Sequence, residues 1–214
     1  MRLKVFLPLA AAAALATTGC DSDTTARRKQ AEARAESAAR QVYVPPGKLD
    51  DYYAFLSGGQ SGSVFVYGIP SCRFIKEIPI FEPRAALGYA NNPGSETYKR
   101  LAATGPLWGD THHPVLSQTD GRYDGRWLWI NDKANDRVAK IDLRTFEVAA
   151  IAVVPNLQGA HGLAAWLPSC KYVFVNGELE TDAAGNTTDP EKYRSVVAFL
   201  DAETLETKFQ ISFV

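Results

Sequence analysis

One stretch of this chain occurs twice. Val138-Ala139-Lys140-Ile141-Asp142-Leu143-Arg144-Thr145-Phe146-Glu147 aligns without a gap with Val197-Ala198-Phe199-Leu200-Asp201-Ala202-Glu203-Thr204-Leu205-Glu206. A looser copy starts at Val64, with Ser71 in the Thr place and Arg73 in the Glu place. Each copy reads as a strand, a turn of the form Asp-x-x-Thr, and a second strand. Asp and Thr suit that turn because their side chains accept hydrogen bonds from its backbone N–H groups. A hairpin repeated in this way is a unit that buries its apolar face only by stacking on its neighbours. The architecture that fits is a β-propeller of four-stranded blades, with the repeat as the outer hairpin of each blade.

The rest of the chain agrees with an all-β fold. Nine Tyr, ten Phe and four Trp favour strands over helices, and helical spacing is nearly absent. Strands are expected at 63–67, 74–81, 126–131, 137–143, 148–154, 171–176, 196–201 and 207–213. Gly88 to Pro106, rich in Gly, Asn and Pro, reads as a long loop. Glu180 to Tyr193 reads as a polar insertion. About three blades fit between residues 58 and 214, whereas propellers close with roughly four to eight. Ile211-Ser212-Phe213-Val214 lies in an apolar strand, and the expectation is an incomplete chain.

The N-terminus is set apart from this pattern. Arg2 and Lys4 precede the apolar run Val5 to Ala16, which is short for a membrane span, and small residues then lead to Cys20. This is an export signal over residues 1–20, of the general secretory kind because no twin-Arg pair precedes it. Gly19-Cys20 resembles the end of a lipoprotein signal, so Cys20 could carry a lipid anchor. The alternative is simple cleavage near Thr18 or Gly19. Residues 21–43 read as a polar tether or a marginal helix, and residues 44–214 as the propeller part. Export implies the periplasm, where Cys72 and Cys170 could pair or remain separate buried thiols. Their spacing makes a poor zinc signature. The net charge of −1 carries no footprint for nucleic acid.

The chain has three histidines. His112 and His113 are adjacent in Trp108-Gly109-Asp110-Thr111-His112-His113-Pro114, and His161 follows in Gly159-Ala160-His161-Gly162. Loops leading into inner propeller strands point toward the axis, and these residues are placed about one blade apart. A ring of neutral imidazoles there suits copper, zinc, iron or nickel. Asp110 could accept the second N–H of a ligating imidazole and fix its tautomer. Taken without context, each histidine could equally be a surface or loop residue. Asp120, Asp124 and Asp132 read as turn and hairpin residues. Trp127 and Trp129 read as packing between blades, and Lys133 and Arg137 as solvated or bridging loops. Gly58, Gly59 and Gly62 form a turn set, not a phosphate loop.

The segments 108–114, 117–125, 129–135 and 137–141, with Pro155-Asn156 and His161-Gly162, together resemble the nitrous-oxide reductases. Upstream, 45–53, 57–59 and 66–71 fit as well, and the secretory signal resembles the atypical branch of that family. The resemblance implies a seven-bladed propeller followed by a cupredoxin domain that this chain lacks. It implies a tetranuclear copper–sulfide centre ligated by histidines, a binuclear copper centre in the cupredoxin, and a head-to-tail homodimer. It implies reduction of nitrous oxide to dinitrogen and water, with a c-type cytochrome as electron donor. His112, His113 and His161 take the places of the first three cluster ligands, and Asp110 that of the acidic residue beside them. No His follows His161, and the family's calcium ligands and catalytic-site Lys fall beyond residue 214. This chain alone is therefore expected to be inactive. Two other readings stand beside it: a non-enzymatic propeller lipoprotein, and a smaller copper-binding protein that uses only the three histidines.

Overall fold

A computed structural model describes residues 20–81, 96–103, 108–165, 171–181 and 194–213. The export signal up to residue 19, Cys170 and most of the 180–193 insertion lie outside the described residues. Two compact units are distinguished: residues 1–52 with 69–72, and residues 53–68 with 73–214.

The first unit contains helix α1, Cys20–Gln41. Of the two readings for this polar segment, the helix is what forms. Its Ala, Arg and Glu residues are strong helix formers. Pairs one turn apart, Asp23–Arg27, Arg28–Glu32 and Glu36–Arg40, add exposed ion-pair support. In the same unit the Ser71 amide donates to Asp50 Oδ1 at 2.9 Å. No helix among the described residues is long and apolar enough to cross a membrane.

The second unit is built from antiparallel sheets. Strands β1 (Tyr52–Ser57), β2 (Ser63–Ile69) and β3 (Phe74–Pro79) form a three-stranded sheet. Strands β4 (Thr111–Thr119), β5 (Arg122–Asp132), β6 (Arg137–Asp142) and β7 (Glu147–Val153) form a four-stranded meander. A second meander has β8 (Ala160–Ala165), β9 (Tyr172–Gly177), β10 (Ser195–Asp201) and β11 (Thr207–Phe213) in sequential order. These are propeller blades, as the repeat requires.

The predicted long loop at 88–106 is corrected in part. Its residues 96–103 form helix α2, Glu96–Ala103. The breakers of that stretch lie on either side, at Gly88 to Gly94 and at Gly105-Pro106, and none falls within the helix. Leu101 is then buried with the strands, and Arg100 Nη1 donates to the Val148 carbonyl at 2.7 Å.

The apolar core lies between sheets. One layer joins Val64, Val66 and Ile78 to Leu128, Ile130, Ala139 and Ile141. The other joins Trp129 and Val138 to Val173, Val175, Ala198 and Leu200. Because successive strand residues face opposite sides, β5 sends Leu128 and Ile130 into one layer and Trp129 into the other. This alternation locks its register.

The repeated turns form as the sequence dictates. Asp142 Oδ1 accepts from the Arg144 amide, and Asp201 Oδ1 from the Glu203 and Thr204 amides. Phe146 and Leu205 close the turns at φ 58° and 62°, and Cys72 holds the matching place in the looser copy at φ 55°. Cys72 is exposed and not bonded to another cysteine among the described residues.

The Thr204 amide above all, with that of Glu203, holds the Asp201 carboxyl below its ordinary value. A depressed carboxyl stabilises the fold above its unfolded pKa, about 3.9, and the benefit is lost as pH falls through the folded value. The Tm difference between wild type and Asp201→Ala should therefore be full above about pH 4 and close on further acidification. A difference that stays constant down to acid would remove the carboxylate from the account.

Candidate metal centre

Strand β4 opens on the histidine pair, and the pairing of β4 with β5 explains why both rings serve one site. Thr111 pairs with Asp132 and His112 with Asn131, and the next pair is Val115 with Trp129. Residues 113 and 114 therefore form a bulge opposite a single residue of β5. Adjacent strand residues ordinarily face opposite sides. Here His113 takes a left-handed backbone, φ 42°, uncommon for a non-glycine residue, and the reversal returns its ring to the side of His112. The two ring centroids are 5.8 Å apart.

The same irregularity recurs in the next blade. Ala160 pairs with Gly177 and then Leu163 with Val175, so His161 and Gly162 form the bulge of β8. His113 and His161 occupy matching places on neighbouring inner strands. Their Nε2 atoms are 3.4 Å apart, and the His161 ring centroid lies 4.6 Å from that of His113 and 5.2 Å from that of His112. One nitrogen from each of His112, His113 and His161 lies within 4.8 Å of the others. The expected convergence is present, with one change. The histidines sit inside the first residues of strands, at bulges, and not in the loops before them.

Asp110 Oδ1 lies 3.1 Å from His112 Nε2, within reach of an N–H on that nitrogen. With Nε2–H donating to Asp110, Nδ1 of His112 carries the free lone pair. Loss of water around His113, and then the neighbouring His161 and His112 rings, hold its imidazole below the ordinary value. The neutral ring is the form that ligates a metal.

The support beneath Asp110 was not foreseen. Its amide donates to Asp132 Oδ1 at 2.8 Å. Asp132 also accepts from the Ala134 amide and from Asn135 Nδ2, and its Oδ2 lies 2.7 Å from Arg137 Nε. Asp132 and Arg137 are both fully buried. Arg137 is therefore not solvated, and the Phe81 ring lies 4.7 Å from its guanidinium. Lys133 does bridge, to Glu178 at the end of β9. Lys133, before the nearby histidines, holds the Glu178 carboxyl below its ordinary value. Asp124 stays a hairpin residue, bonded by Ser117, Thr119 and the Arg126 amide.

Gly109 is where the chain passes this support. A Cβ there would lie 2.4 Å from Phe81 Cβ and 3.0 Å from Asp132 Cγ. Gly109→Ala should cost about 1–3 kcal/mol by forcing the backbone away from Asp132. A denaturation midpoint unchanged from wild type would sink that expectation.

The chain is similar to known proteins. Residues 154–213 match the family described as nitrous oxide reductase propeller repeat 2, which is the β8–β11 blade. The nitrous-oxide reductase of Pseudomonas fluorescens is 42% identical over 194 residues, covering 87% of this chain and 30% of that protein. That of Stutzerimonas stutzeri is 41% identical over 204 residues, covering 93% of this chain and 32% of that protein. Over most of its length the chain is similar to nitrous-oxide reductases. The relative from Ralstonia nicotianae agrees at 36% identity, covering 96% of this chain and 35% of that protein. The chain spans about a third of the length of the curated nitrous-oxide reductases it matches.

Proposed function

We propose that His112, His113 and His161 ligate copper in a nitrous-oxide-reducing centre of the periplasm, with Asp110 fixing the His112 ring. The observation that carries this reading is the meeting of three imidazoles from two successive inner strands within 4.8 Å. The donor set fits copper: all three donors are imidazole nitrogens, and the His113 ring is held toward its neutral form. Similarity to nitrous-oxide reductases favours copper over the other metals that imidazole suits.

Copper bound there would supply the two electrons that, with two protons, convert nitrous oxide to dinitrogen and water. The chain's own residues supply placement. The two bulges bring the His113 and His161 rings to His112, and Asp110 would hold His112 Nε2–H, leaving Nδ1 as that ring's donor nitrogen. Asp132 holds the Asp110 backbone. Electrons in this reading come from a c-type cytochrome, and the working assembly is a homodimer.

Anaerobic Cu(I) titration of the full chain against a competing chelator tests the ligand assignment. Wild type should take up copper, and His113→Ala or His161→Ala should abolish tight uptake. Asp110→Asn should weaken it by about 10–100-fold, the usual cost of losing an outer-shell partner. Copper uptake indifferent to all three substitutions would overturn the assignment.

A further inference from the structure

The peptide groups on both sides of Ala160, the residue before His161, are gripped by the neighbouring blade. Asn131 of β5 donates from Nδ2 to the Ala160 carbonyl. Asp136, in the turn between β5 and β6, accepts the Ala160 amide at 2.9 Å. Asn131 is fully buried, and its Oδ1 has no hydrogen-bond partner among the described residues. Burying an amide with one end unpaired costs stability, and an apolar residue of similar size would avoid that cost. Asn131 also pairs across the ladder with His112. The same side chain therefore borders one histidine strand and holds the other.

We infer that Asn131 and Asp136 are positioning residues that clamp Ala160 and so set the distance of His161 from His112 and His113. His161 lies in the bulge of β8, where residues 161 and 162 are outside the register pairs with β9, so the sheet alone does not fix its height. Its anchor is Ala160, held by its pairing with Gly177 and by this clamp from the adjoining blade. Trp129 offers a contrast. It lies two residues before Asn131 on the same side of β5 and also donates to a backbone carbonyl of the next blade, that of Ala202, far along the chain from the histidines.

The proposal rests on the metal-site reading for its purpose but not for its test. In the metal-free full chain, nuclear Overhauser contacts between the His113 and His161 ring protons report their spacing directly. They should be present in wild type and in Trp129→Phe, which removes an inter-blade hydrogen bond of the same kind elsewhere. They should be lost in Asn131→Ala and Asn131→Asp. Should the Asn131 variants not fold, Asp136→Gly decides the question, because glycine keeps the φ of 52° while removing the acceptor. Cu(II) added to each chain should give a nitrogen hyperfine pattern with one imidazole fewer in the clamp variants, and affinity lower by about 10–100-fold. Ring contacts retained in a folded Asn131→Ala or Asp136→Gly chain overturn the positioning role. Intact contacts in a wild type that binds no copper would instead overturn the metal reading and leave the clamp standing.

Discussion

Replacing Arg137 by alanine is expected to destabilise the chain by about 3–5 kcal/mol, the cost of leaving a buried charge without its partner. Arg137 and Asp132 are both completely removed from water, with Nη2 to Oδ2 at 2.6 Å. The loss is one-sided. The Asp132 carboxylate would keep the Asp110 and Ala134 amides and Asn135, but it would lose the cation that balances it. Because the same carboxylate holds the backbone of Asp110, the damage should reach His112 as well. Urea denaturation gives the stability change. Pairing Arg137→Met with Asp132→Asn should recover part of it, since the buried charge is then gone. A loss below about 1 kcal/mol in Arg137→Ala would mean that water reaches the pair, as in an ordinary surface bridge.

Trp129→Ala should cost a similar amount, about 3–5 kcal/mol, for a different reason. Trp129 is 2% exposed and sits in the layer between the two four-stranded sheets, its Nε1 donating to the Ala202 carbonyl at 3.3 Å. Truncation leaves a cavity lined by residues of both sheets, and neither can close on it without shifting its own ladder. Trp129→Phe keeps most of the volume and should lose only about 1 kcal/mol with the hydrogen bond. Equal losses for the two variants would show that the hydrogen bond, not the packing, holds the layer.

The repeat at Val138 and Val197 made the blades legible because its turn chemistry is local. An Asp oxygen two or three residues before an amide does the same thing wherever it occurs. The histidines were legible for a related reason: their spacing follows the blade. What stayed hidden depends on contacts remote in sequence. Arg137 looks like a surface residue until the chain around Trp108 to Asp110 and Phe81 folds over it. Asn131 looks like the end of an apolar strand, and only the next blade shows what its amide holds. Helix α2 was masked by the Gly and Pro residues on both sides of it. The bulges at His113 and His161 have no composition signal, because strand pairing with β5 and β9 defines them.

Those bulges bear on how such a centre could arise. The inner strands of both blades break their ladder at matching places, although one bulge holds His113-Pro114 and the other His161-Gly162. The break in the ladder thus recurs with the blade whatever residue follows the histidine, whereas the left-handed backbone belongs to His113 and not to His161. A duplicated blade brings a socket already aimed at its neighbour's, and one codon change can fill it. Imidazoles could then be gained singly, each at a ladder break already present.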